Sequence, residues 1–246
     1  LGLLLLAAYV IIPGWLGSFH TPQSGALLPE TCRGIFQICL VELGLFAATF
    51  ALAARLGRLR PGDLMLRWGG KWVIPRAMGW SLALRLGVGI LLAAVVALWQ
   101  LATGPGHSGL ADFRPRVEAM VNVEALRDPV YAMLMYTLVS FGLAGLREEL
   151  WRVGMVNLLG RAFPHWFGGR LGPWISLLPV ALLFGLAHTP QGWVGVTATA
   201  GLGLGLGAVL LFHRSLWDAV LAHGFFNATT FAVLPWMADV LSQPNA

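Results

Sequence analysis

Two glutamates stand side by side in an apolar run. Glu148 and Glu149 lie in Gly145-Leu-Arg-Glu-Glu-Leu-Trp-Arg152, between Tyr131–Ala144 and Val153–Leu159, and both flanks read as membrane helix. An ionised side chain at bilayer depth costs roughly 3 kcal/mol on the gentlest scales, so it marks a functional site by default. Downstream, Phe184-Gly-Leu-Ala-His188 and His223-Gly-Phe-Phe-Asn227 place two histidines and an asparagine in the same surroundings. A spacing of four puts Phe184 with His188, and His223 with Asn227, on one helix face each. Each group alone reads as a satisfied structural residue. Together in lipid they need polar partners, and the least costly arrangement has them satisfy one another around a common wet cavity.

A carboxylate with a histidine can hold and deprotonate a water, directly or through a metal. A second histidine with an asparagine amide offers N–H donors to a developing oxyanion. Such a set hydrolyses a peptide bond without a covalent acyl-enzyme. Other routes to intramembrane hydrolysis lack their residues. There is no His-Glu-x-x-His motif, neither Ser140 nor Ser176 sits in Gly-x-Ser-Gly, and Gly62-Asp63 falls in a basic connection.

The elements that must carry these groups follow from composition. Of 246 residues, 57% are hydrophobic and 11% charged, against roughly 25% charged in a soluble domain. The fold class expected is all-α, a polytopic transmembrane helix bundle in one domain, 1–246, with about seven spans. They fall near 1–17, 34–54, 79–103, 129–159, 173–188, 193–212 and 216–238. The run Gly2–Trp15 reads as the end of a first span rather than a signal peptide, since no charged stretch precedes it. The segment 173–188, with Pro179 and a following Pro190, is expected to end within the bilayer.

Arginine supplies almost all of the net charge of +5. It sorts by connection: Arg55, Arg58, Arg60, Arg67, Lys71 and Arg76 crowd 55–78, whereas 104–128 has three arginines against four acids. The positive-inside bias makes 55–78, 160–172 and the turn at His213-Arg214 cytoplasmic, with 104–128 on the other face. Membrane topology accounts for the basic excess, and no soluble basic face remains for nucleic acid. Cys32 and Cys39 read as small buried hydrophobes. Gly201-Leu-Gly-Leu-Gly-Leu-Gly207 reads as close helix packing rather than a nucleotide loop. Glu42 and Arg85, inside apolar spans, are either paired structural charges or walls of the same cavity. Ser215 and Asp218 read as a capping box, and His20, His107, His165 and His213 as bystanders in connections.

In order along the chain, Glu148-Glu149, Phe184…His188 and His223…Asn227 resemble the CAAX protease and bacteriocin-processing family of intramembrane proteases (also called the Abi family), which includes the prenyl-protein endopeptidases. That pattern is Glu-Glu-x-x-x-Arg, Phe-x-x-x-His and His-x-x-x-Asn on successive helices. The resemblance covers about 129–235, with Ser215–His223 as a lead-in to the third motif, and leaves 1–128 as accessory spans. One departure stands out: the arginine position falls at Val153, before Gly154, while this chain has Arg152. On a helix that is a turn of about 100°, leaving Arg152 within reach of either glutamate.

The resemblance implies that Glu148 with His188 activates water, that His223 and Asn227 stabilise the oxyanion, and that Glu149 and Arg152 support them. Metal-dependent and metal-free mechanisms both remain open, zinc on Glu148, His188 and His223 being the metal form. Its partners are membrane lipids and a peptide or protein tail, CAAX-type, prenylated or other; arginine-rich, lysine-poor usage with abundant Gly and Ala suggests a bacterial chain, and so a bacterial inner membrane. Two alternatives stand beside it: a catalytically silent scaffold or chaperone, and a transporter whose Glu and His groups relay protons.

Overall fold

The computed structural model describes residues 1–18, 26–104 and 115–242. Among them, seven helices have 15 residues or more: α1 Gly2–Ser18, α2 Cys32–Leu56, α3 Val73–Thr103, α4 Pro129–Ala162, α5 Gly172–Leu186, α6 Gly192–His213 and α7 Leu216–Ser242. No strand occurs among the described residues. Each helix overlaps one expected apolar segment. Local chemistry sets several starts. Thr31 Oγ1 accepts from Gly34 N at 3.1 Å to begin α2. Asp128 Oδ1 accepts from Val130 N and Tyr131 N at 2.9 and 2.8 Å, with Pro129 at the first helical position of α4.

Length and composition suit four of these to crossing a membrane: α2, α3, α4 and the stretch Thr189–His213 that contains α6. The apolar part of α1, Gly2–Pro13, and α5 are shorter. The 15 residues of α5 rise roughly 22 Å, short of a hydrocarbon core of about 30 Å. The chain then reverses through a 3-10 turn, Thr189–Gln191, and Gly192 adopts φ +77°, a backbone region that favours glycine. Seven crossings are thus more than length and hydropathy establish, because three of the seven helices are too short or too polar to count.

The connections segregate to two ends. Arg161 donates to the carbonyls of Gly57 and Arg58 and pairs with Asp63. Ser215 Oγ donates to Arg67 O, Trp217 Nε1 to Leu66 O, and Leu216 N to Met65 O. The arginine-rich connections therefore share one end of the bundle. At the other, Leu27 N and Leu28 N bond Ala119 O and Met120 O, and Arg116 N bonds Gln191 O.

Helix α4 lies at the centre, packed on both sides. One cluster joins it to α1, α2 and α5 through Trp151, Met155, Leu6, Phe46, Leu177 and Phe184; another joins it to α6 and α7 through Val153, Leu210, Leu216 and Val220. Helix α3 instead turns Leu82, Leu86 and Ile90 outward, a face suited to lipid rather than water. The glycine run of α6 is a packing device, as expected. A Cβ at Gly201 or Gly205 would fall about 2.5 or 2.4 Å from Leu91 or Leu84 of α3, and one at Gly207 2.4 Å from Leu177 of α5.

Candidate active site

Helix α4 changes register just before the glutamates. Residues Met135–Arg147 form a π-helix and Glu148 resumes the α form. Within it Ser140 Oγ donates to the Met135 carbonyl five residues back, at 2.7 Å. Gly145 lets α7 close on α4, since a Cβ there would stand 2.8 Å from the Val220 carbonyl oxygen. One turn beyond Val220, His223 meets the carboxylates.

Glu149 is fully buried. Arg152 Nε donates to its Oε2 at 2.9 Å and Nη2 to Oε1 at 3.1 Å, while His223 Nδ1 lies 2.9 Å from Oε1. Three N–H groups hold the carboxylate, one on Oε2 and two on Oε1. The displaced arginine therefore serves Glu149, and Val153 is buried apolar core. The Arg152 guanidinium lies 4.5 Å over the Phe184 ring, and Gly203 of α6 makes room for both: a Cβ there would be 2.8 Å from Phe184 Cδ1 and 3.1 Å from Arg152 Nη1.

Glu148 has the opposite surroundings, its side chain 16% exposed. Arg147 Nη2 donates to its Oε1 at 3.0 Å. Its Oε2 is 3.8 Å from His223 Nε2, past hydrogen-bond range, and accepts no hydrogen bond from a described residue. Arg147 reaches the other way as well, donating from Nη1 to Glu42 Oε2 at 2.9 Å, an atom that also accepts from Tyr9 Oη at 3.1 Å. Glu42 is thus both a paired charge and a cavity wall. Sequence reasoning singled out Glu42 but passed over Arg147 and Tyr9; a phenol inside an apolar segment was the available signal.

His188 ends α5. Its Nδ1–H donates to the Phe184 carbonyl at 2.8 Å, and because a carbonyl only accepts, the lone pair of the neutral ring falls on Nε2. The Phe184 ring stands between the two imidazoles, 4.8 Å from His188 and 6.2 Å from His223 by centroids. Glu148, His188, Arg147, Glu42 and Tyr9 all line one cavity of about 620 Å³, whose remaining walls, such as Leu5, Leu45 and Leu143, are mostly apolar. His223 is buried and is not itself a wall. Asn227, half-buried one turn further along α7, neither lines the cavity nor hydrogen-bonds to these groups. Among the described residues, no three His, Cys, Asp or Glu side chains gather as metal ligands. Glu148, His188 and His223 therefore do not form a ready zinc set, and Glu148 Oε1 already holds an arginine.

Outside the cavity several expectations change. Asp218 N reaches Ser215 Oγ at 3.4 Å, but the Asp218 carboxylate turns to Arg76, at 2.5 and 2.9 Å, so the box is only half formed. His213 is no bystander: it accepts from Trp80 Nε1 at 2.8 Å. His165 stacks edge-on against Trp166, while His20 and His107 lie outside the described residues. Arg85 is held by the Phe226 carbonyl, Thr229 and Thr230, with its guanidinium over the Phe226 ring. Cys32 and Cys39 are both free.

No curated protein and no solved structure matches the chain. Residues 129–229, which hold α4 to α7 as far as Thr229 and every group from Glu148 to Asn227, match the family model described as type II CAAX prenyl endopeptidase Rce1-like. Its apolar helices mark the chain as an integral membrane protein, and its segment 129–229 is similar to the CAAX prenyl endopeptidases, a family of proteases.

Proposed function

We propose that this protein is an intramembrane endopeptidase in which Glu148 is the general base. One observation carries the reading: Glu148 lines a cavity that it shares with His188 and keeps one carboxylate oxygen free of hydrogen bonds from described residues, while Glu149 beside it is buried with both oxygens hydrogen-bonded. A water between Glu148 Oε2 and His188 Nε2 gives its proton to the carboxylate as its oxygen attacks the scissile carbonyl carbon. The new C–O bond forms and the carbonyl π electrons move onto oxygen. His223, whose Nε2 lies 3.8 Å from Glu148 Oε2, donates to that charge when Nε2 carries a proton. Collapse breaks the C–N bond, and the proton held by Glu148 passes to the departing amine. Glu149 and Arg152 orient His223, and the oxyanion role of Asn227 rests on its place one turn from His223. No step needs a metal.

The apolar walls suit a hydrophobic or lipid-modified tail, which the family description supports through its prenyl substrates. Seven crossings, a bacterial inner membrane and a cytoplasmic basic end complete the reading. An internally quenched peptide ending in a farnesylated CAAX sequence tests it in detergent. Glu148→Gln and His188→Ala should abolish cleavage without changing the elution volume of the purified protein, and 1,10-phenanthroline should leave the wild-type rate unchanged. Cleavage at the wild-type rate by Glu148→Gln would refute the assignment.

A further inference from the structure

We infer that Glu42 of α2 is a positioning residue that sets Glu148 through Arg147, with Tyr9 of α1 steadying the clamp. The inference rests on Glu148 being the base proposed above. The contacts form a chain: Tyr9 Oη donates to Glu42 Oε2 at 3.1 Å, Arg147 Nη1 donates to the same oxygen at 2.9 Å, and Arg147 Nη2 donates to Glu148 Oε1 at 3.0 Å. Arg147 Nε is buried with no hydrogen-bond partner among the described residues, so its hold on the two carboxylates through Nη1 and Nη2 sets the guanidinium plane. A carboxylate in an otherwise apolar α2 is costly, and the clamp is the only use the structure gives it among the described residues.

Sharing one cation between two carboxylates has a chemical consequence. With nothing on its other side, Arg147 could turn both Nη groups onto Glu148 and cover Oε2 as well as Oε1. Glu42 holds Nη1 to itself, so Glu148 keeps Oε1 tethered and Oε2 without a hydrogen bond from a described residue. Glu42 and Tyr9 both lie outside the family-matched residues 129–229. The first two helices thus complete a site whose acids and histidines all come from the second half of the chain.

Two measurements on the full chain test this. With the quenched farnesylated peptide, Glu42→Gln should lower kcat about tenfold, equivalent to about 1.4 kcal/mol, with KM within about twofold. Glu42→Asp should recover most of that loss, and Glu42→Gln combined with Arg147→Gln should lose no more than Arg147→Gln alone, because residues acting in series are not additive. Without substrate, the rate at which dicyclohexylcarbodiimide labels Glu148, read by mass spectrometry, should fall several-fold in Glu42→Gln. Where Glu42→Gln does not fold, Tyr9→Phe should slow labelling in the same direction. Unchanged labelling, an unchanged kcat, or losses that add in the double variant overturns the clamp. An inactive Glu148→Gln beside a fully active Glu42→Gln sinks the clamp alone. An active Glu148→Gln sinks the protease reading, and labelling then decides the clamp by itself.

Discussion

The two sides of α4 treat adjacent carboxylates in opposite ways. Towards α6 and α7, Glu149 is closed in by Arg152 and His223, fully buried and with both oxygens occupied. Towards α1 and α2, Glu148 keeps one arginine contact, a free oxygen and a cavity. A buried, hydrogen-bonded ion pair has no spare acceptor for a substrate proton, and its charges cannot separate without a large desolvation cost. A partly solvated carboxylate with an unused lone pair can cycle a proton. On the proposed reading, the contrast gives structure to one glutamate and chemistry to its neighbour, one residue apart on the same helix.

Four variants press on this contrast. The largest effect is expected at Glu148→Gln, where cleavage should fall by roughly 10² to 10⁴ while the melting temperature in detergent barely moves. Arg152→Ala should do the reverse in kind: it strands Glu149 in the core and should cost about 3–5 kcal/mol of stability, visible as a large drop in thermal-shift midpoint. An Arg152→Ala protein as stable as wild type would dissolve the distinction between the two sides. Gly203→Ala sharpens it from the α6 side. The added methyl presses on Phe184 and Arg152, and overpacking of this kind costs about 1–3 kcal/mol, read in the same melting assay. Smallest should be Arg161→Gln at the basic end. Its pair with Asp63 is partly exposed, so screening limits the pair's worth to under about 1 kcal/mol, with activity unaltered.

Much of the helical frame was legible beforehand because lipid imposes one rule: backbone groups must be satisfied within each segment. Long apolar runs therefore become helices, while the caps at Thr31 and Asp128 and the positive φ of Gly192 emerged only from the structure. The polar groups of the site were legible for a related reason, since a carboxylate or imidazole in such a run demands explanation. The π register of Met135–Arg147 was not. No residue pattern announces a switch to the wider turn, yet it lies directly before Glu148, and such segments often mark functional sites. Asp218 and His213 were misread because their partners, Arg76 and Trp80, come from a helix more than 130 residues away.

From the sequence alone came the all-helical class, the order of the apolar segments and the short list of groups fit for proton transfer. These are properties of local composition and of spacing along one helix. Tertiary structure decided which arginine holds which glutamate, which imidazole each meets, and that α1 and α2 reach the same cavity. Those choices hang on how closely helices approach, at Gly145 against Val220 and at Gly203 against Phe184 and Arg152. Distances of that kind are set by the packing of several helices at once, so no single stretch of chain encodes them.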